Sequence, residues 1–138
     1  MAKRIEQTIE LWNIADERDV RARKRPPMRV IAKADSGSMY TVIPKGLAED
    51  LGLLPTDHIW VRYADGRRAR RALVSGLRIR VPGMPGRLLT TDALVEPGRD
   101  SVLLGCEEME RMDLLADHRA GVLRPRPGTE KGIVAEID

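Results

Sequence analysis

The sequence predicts a mostly β, single-lobe domain with two short helices. Three observations carry this. Extended runs with period-two alternation recur along the chain, Pro/Gly-rich turns separate them, and Asp65-Gly66 stands between two such runs, a strong hairpin signal. The length of 138 residues bounds the chain to one ordinary domain with short tails and excludes a two-lobed enzyme. With 42% hydrophobic and 33% charged residues of mixed sign, it can build a core.

Residues 5–13 place Ile5, Ile9 and Leu11 on one parity, as in a half-buried strand, although Trp12 breaks the pattern. Residues 15–27 are charged and end in Pro26-Pro27, which predicts a loop or linker. Residues 28–34 form a strand with Met28, Val30, Ala32 and Ala34 on one face, and it runs straight into Asp35-Ser36-Gly37-Ser38. Such a strand delivers a carboxylate into a tight loop. Pro44 then opens a short helix at its first position, with Leu47 and Leu51 one turn apart and Gly52 as its stop.

Residues 58–63 read as a strand, Ala64-Asp65-Gly66 as a turn and 67–74 as the returning strand. The run Arg67, Arg68, Arg70 and Arg71 is too charged to bury both faces, so this hairpin should project from the body. A separate strand is expected at 77–81, the turn PGMPG leads to a strand over 87–95, and 102–104 is a short apolar strand closed by Gly105. A second helix follows over 106–112 with Met109 and Met112 inward, and short extended segments end the pattern at 114–116 and 121–124.

Composition narrows the function. The 24 basic residues stand against 21 acidic ones, a net charge of +3, too even to demand nucleic acid as a partner. Aromatics are 3% with no Phe, which disfavours a base-stacking protein. Cys106 is the only cysteine, and His58 and His118 have no partner at ligand spacing, so no metal or other cofactor is expected. No apolar run spans a bilayer and the N-terminus is charged where a signal peptide is apolar. The expectation is a cytoplasmic protein without a membrane segment.

Three features stand in order: Asp35-Ser36-Gly37 at a strand end, a polar hairpin about 30 residues later, and Leu103-Leu104-Gly105 leading into a helix. The stretch from Ala34 through Thr41-Val42-Ile43-Pro44 is the most specific. This order resembles the retropepsin-like aspartic proteases, the retroviral protease family and its bacterial relatives, over residues 28–124. The resemblance implies a closed β-barrel of the acid-protease type, with 1–27 as an N-terminal strand and charged linker. It leaves 125–138 as a C-terminal tail, and the residues before Met28 and after Arg124 as contributors of strands to a dimer interface, with 114–116 and 133–137 as candidates between which the sequence does not choose.

It also implies an aspartic endopeptidase acting on a polypeptide substrate, with Asp35 catalytic. One Asp-Ser-Gly supplies one carboxylate, so the second must come from a second chain and the protein is expected to be a homodimer with an Asp35/Asp35 dyad. Ser36, Gly37 and Ser38 complete the active-site loop. Ala64, Asp65, Gly66 and Arg67 match the flap that covers an extended substrate, and Leu103, Leu104 and Gly105 match the structural support under the loop. Ser38 stands where retroviral enzymes have Ala, and its hydroxyl is expected to reach the Asp35 carboxylate. The flap tip is Arg-rich rather than Gly-rich, and Met39 and Tyr40 replace polar substrate-binding positions. Two other readings stay open: a catalytically weak or inactive binding or regulatory module on the same fold, and a basic nucleic-acid-binding β domain using residues 21–29 and 67–71.

Overall fold

The computed structural model describes residues 4–138. Among the described residues nine strands form: β1 (Glu6–Asn13), β2 (Met28–Asp35), β3 (Thr41–Pro44), β4 (Pro55–Arg62), β5 (Arg68–Arg80), β6 (Leu88–Glu96), β7 (Val102–Gly105), β8 (Leu114–Asp117) and β9 (Val122–Pro125). Seven of them share one sheet in the order β1-β2-β7-β3-β6-β5-β4, and β1 also pairs with β5. Six strands therefore close into a barrel, while β4 hangs outside on the edge of β5. The pairs β2–β7 and β3–β6 are parallel, and the other pairings of the sheet are antiparallel. β8 and β9 form a separate antiparallel pair.

Period-two alternation fills the barrel. On β5, Leu77 and Ile79 are fully buried while Arg78 and Arg80 turn outward to Glu17 and Glu10. Ile9 and Leu11 of β1, Ile43 of β3 and Leu104 of β7 meet them in the core. Each such side chain contributes about 1.5–3 kcal/mol by leaving water. Two helices seal the barrel: α2 (Lys45–Asp50) through Ala48, and α3 (Cys106–Arg111) through Met109, with Met112 just beyond its end. Pro44 is extended (φ −63°, ψ 149°) and caps α2 from outside instead of occupying its first turn.

The segment read as a linker is ordered. A 3-10 turn (Ile14–Asp16) passes into α1 (Glu17–Arg21), which makes three α-helices among the described residues where two were expected. Asn13 starts it: its side-chain oxygen accepts from the Ala15 N–H, while its amide nitrogen donates to the Leu51 and Gly52 carbonyls. Val20 buries the inner face. A second difference is that 67–74 and 77–81 belong to one strand. The register between β5 and β6 shifts between Val74 and Leu77, and Gly76 at φ +84° takes up the bulge without ending the strand.

Arg87, expected to open a strand, is instead buried at 1% exposure just before β6. Its guanidinium donates to the carbonyls of Pro85, Met112, Asp113 and Thr129 and to the Thr129 hydroxyl, at 2.6–3.4 Å. Five planar donors met by neutral oxygens make the buried charge tolerable. They tie the PGMPG turn, the end of α3 and the C-terminal segment together.

Glu17 is the hub that holds α1 to the barrel. It accepts from Trp12 Nε1 (2.6 Å), from Arg21 Nε (2.7 Å) and from Arg78 Nε and Nη2 (3.1 and 2.9 Å). The Arg78 hydrogen bond foremost, then those of Trp12 and Arg21, pulls its pKa from 4.5 down to about 2, against the opposing effect of burial. A depressed carboxyl stabilises the fold above its unfolded pKa, and that contribution disappears as pH falls from 4.5 to about 2. After solvent screening it amounts to about 1–2 kcal/mol. Glu17→Gln should therefore lower the unfolding midpoint at neutral pH and flatten its acid dependence in that window. A variant that keeps the wild-type slope would contradict this.

Candidate active site at the end of strand β2

Asp35 ends β2 because β2 is held alongside the parallel β7, where Ala34 pairs with Leu104 and Asp35 with Gly105. The chain then turns sharply. The Ser38 N–H donates to the Asp35 carbonyl (3.2 Å), and the Gly37 N–H donates to Asp35 Oδ1 (2.8 Å). The second carboxylate oxygen makes no hydrogen bond among the described residues, and Asp35, Ser36 and Gly37 are exposed in the single chain.

Two bonds staple the loop from beneath. The Cys106 N–H donates to the Ser38 carbonyl at 2.7 Å, and the buried Gly105 N–H donates to Thr41 Oγ1 at 3.1 Å. A Cβ on Gly105 would lie 2.5 Å from the Tyr40 carbonyl carbon, so the LLG segment ends in glycine because two backbones touch. From the sequence Thr41 reads only as the start of the Thr41-Val42-Ile43-Pro44 stretch. A hydroxyl at the start of TVIP, fully buried, is the signal that could have singled it out. Ser38 departs from expectation: its hydroxyl donates to the Tyr40 carbonyl at 2.8 Å and not to Asp35. The one Asp35 carboxylate oxygen that is bonded is held by the Gly37 N–H.

Leu104 points into the barrel and Leu103 away from it. Leu103 joins a second apolar cluster, with Val42, Leu73 and Leu94 buried and Tyr40, Ile59 and Val61 packed on them. Cross-strand pairing explains the hairpin contribution: Ile59 faces Arg71 and Val61 faces Ala69 on the cluster side, whereas His58, Trp60 and Arg62 face Ala72, Arg70 and Arg68 on the other. The β4–β5 hairpin thus roofs an apolar floor that begins next to the Asp35 loop.

The tip, residues 63–67, is a turn closed by Tyr63 N–H to the Arg67 carbonyl (2.8 Å) and Gly66 N–H to the Tyr63 carbonyl (2.9 Å), with Gly66 at φ +88°. Ala64 is exposed there. The Asp65 carboxylate accepts from Arg67 N–H and Nε, at 2.9 and 2.7 Å. These bonds, the backbone one first, hold its pKa below the usual range. The stem is tethered separately. The Tyr63 hydroxyl donates to Glu96, and Arg71 Nε donates to both. Burial first, and then the Glu96 bond, pushes the Tyr63 phenol above its ordinary pKa. No hydrogen bond joins the tip to the Asp35 loop among the described residues.

Asp35, Ser36, Gly37, Ser38, Leu103, Leu104 and Gly105 therefore come together, while Ala64, Asp65, Gly66 and Arg67 sit at the far end of the hairpin. Among the described residues, no three His, Cys, Asp or Glu side chains form a metal-ligand group, and no helix is long and apolar enough to cross a membrane.

No protein-family model matches the sequence, and no curated protein matches it. Solved structures do match the fold. The retroviral protease-like domain of Ddi1 from Leishmania major superposes with a TM-score of 0.52 over 91% of each chain at 15% identity. The EIAV protease, in complex with the inhibitor HBY-793, superposes with a TM-score of 0.53 over 79% of this chain and 88% of its own at 14% identity. With the closed six-stranded barrel and the hairpin outside it, these matches show that the chain has the retropepsin-like fold.

Proposed function

We propose that the protein is an aspartic endopeptidase whose active site forms when the Asp35 loops of two chains meet on a two-fold axis. One observation carries this reading: an exposed carboxylate, its loop stapled from beneath by β7 and α3, stands beside an apolar floor that the hairpin roofs. Two close carboxylates cannot both ionise readily, so the dyad holds one proton and titrates as a pair. The ionised member takes a proton from water as its oxygen attacks the scissile carbonyl. The protonated member gives its proton to the carbonyl oxygen. In the tetrahedral intermediate the carboxyl that took the water proton passes it to the scissile nitrogen, while the other carboxylate takes a proton back from a hydroxyl of the gem-diol. The C–N bond breaks, amine and acid leave, and the dyad again holds one proton. Gly37 leaves room for the water and the substrate backbone. The polypeptide would lie extended between the Asp35 loops and the hairpins.

Met39 favours a second reading, a binding or regulatory module. This apolar side chain, 64% exposed directly after the loop, offers no hydrogen bond to a substrate backbone. One assay separates the two: hydrolysis of a denatured protein by the purified chain between about pH 4 and 7, followed across dilution. The peptidase reading expects specific activity to fall once the chain is diluted below its dimer dissociation constant. A stable dimer that cleaves nothing across this range would overturn that reading in favour of the second.

A further inference from the structure

The side of the hairpin that faces away from the Val42, Leu73 and Leu94 cluster carries its own chemistry. Arg62, Arg68 and Arg70 lie together on that face with exposed side chains, and none has a carboxylate partner among the described residues. The neighbouring arginines differ: Arg67 is paired with Asp65 and Arg71 with Glu96. Trp60, 65% exposed, sits among the three, and the Arg68 guanidinium lies 5.9 Å from its ring.

At the base of the same face, between α2 and β4–β5, lies a groove of about 520 Å³. It is lined by the apolar Leu54, Ala72 and Val74 and by the basic or ionisable Lys45, His58 and Arg70, with Glu49 the carboxylate on the α2 side. Leu54 is 75% exposed. Arg70 belongs to both features, so the apolar groove and the cationic face are continuous.

We propose that this outer surface docks an acidic polypeptide segment carrying an apolar anchor residue, at a site separate from the Asp35 loop. The groove takes the anchor, and the unpaired guanidiniums take flanking carboxylates in the paired geometry that arginine favours. Charge complementarity selects the partner's sign, and the apolar lining selects a protein over a nucleic acid. A phosphate backbone has no use for Leu54 and Val74, and a single exposed indole, Trp60, gives successive bases no run of platforms. The proposal does not depend on Asp35 chemistry. Because the segment would lie on the back of the hairpin, an occupant bears directly on how freely the hairpin moves.

The test is fluorescence anisotropy with a labelled peptide of repeating Glu-Glu-Leu, compared with repeating Lys-Lys-Leu, repeating Glu-Glu-Ser and an oligo-dT strand. Saturable binding of Glu-Glu-Leu is expected, weakened by added salt and at least about tenfold weaker for Glu-Glu-Ser. Lys-Lys-Leu should not bind. Arg68→Glu/Arg70→Glu and, separately, Leu54→Ser should each weaken Glu-Glu-Leu binding by a similar factor. All three positions are exposed, and Arg62→Glu provides a further variant on the same face should one of these fail to fold. No saturable binding of Glu-Glu-Leu, unchanged affinity in the folded variants, or tighter binding of oligo-dT overturns the proposal. Binding is read directly, so its failure is distinct from failure of the peptidase reading.

Discussion

Asp35→Asn is expected to leave the fold standing and to remove about 10²–10⁴ of the hydrolytic rate, the usual contribution of a positioned general acid–base group. The fold should survive because Asp35 is exposed and its one internal bond comes from the Gly37 N–H to Oδ1, which an amide oxygen accepts equally well. The rate should not survive, because an amide neither takes a proton from water nor holds one for the carbonyl. Mixing gives a sharper result. In a statistical mixture of the two chains, only wild-type pairs carry two carboxylates. Activity should then follow the square of the wild-type fraction, about one quarter at equal mixing. A linear dependence would mean that each chain works alone, and full activity in the variant would remove Asp35 from the chemistry.

Gly105→Ala should be strongly destabilising. The added methyl would lie 2.5 Å from the Tyr40 carbonyl carbon, 2.6 Å from its oxygen and 2.8 Å from the Met39 oxygen. All three atoms are backbone, so no rotamer change relieves the contact. Relief requires the 36–40 loop to lift off β7, which breaks the Cys106–Ser38 and Gly105–Thr41 bonds that staple it. Overpacking together with a stranded buried donor costs about 2–5 kcal/mol, read as a lower urea midpoint, and any folded remainder should have lost its Asp35 geometry. Gly46 in α2 is the control, since a methyl there meets nothing within 4 Å. Gly46→Ala should be neutral or stabilise by up to about 1 kcal/mol. Equal midpoints for Gly105→Ala and wild type would refute the close-approach argument.

Local signals were legible. Asp-Gly between alternating runs marked the hairpin, and a strand running into Asp-Ser-Gly placed Asp35 at its end. The Leu-Leu-Gly segment marked the strand that lies beside it. Long-range effects were not legible. α1 reads as a charged linker because its stability comes from Arg78, 61 residues away, reaching Glu17. Gly76 reads as a strand end because a bulge and a turn use the same residue, and only the β6 partner distinguishes them. Arg87 looks like any other arginine, since its acceptors are main-chain carbonyls, which every residue possesses. The Ser38 hydroxyl bonds the Tyr40 carbonyl, and the position of that carbonyl depends on a backbone turn that the residue types do not display.

The buried Arg87 also fixes how far the chain can be shortened. Two of its five contacts are to Thr129, beyond the last strand. A chain cut before Thr129 would keep every strand of the barrel and still leave a guanidinium without two of its acceptors in the interior. The coil after β9 is thus a plug for a charge, and the smallest folding unit ends with that plug, past the end of the sheet.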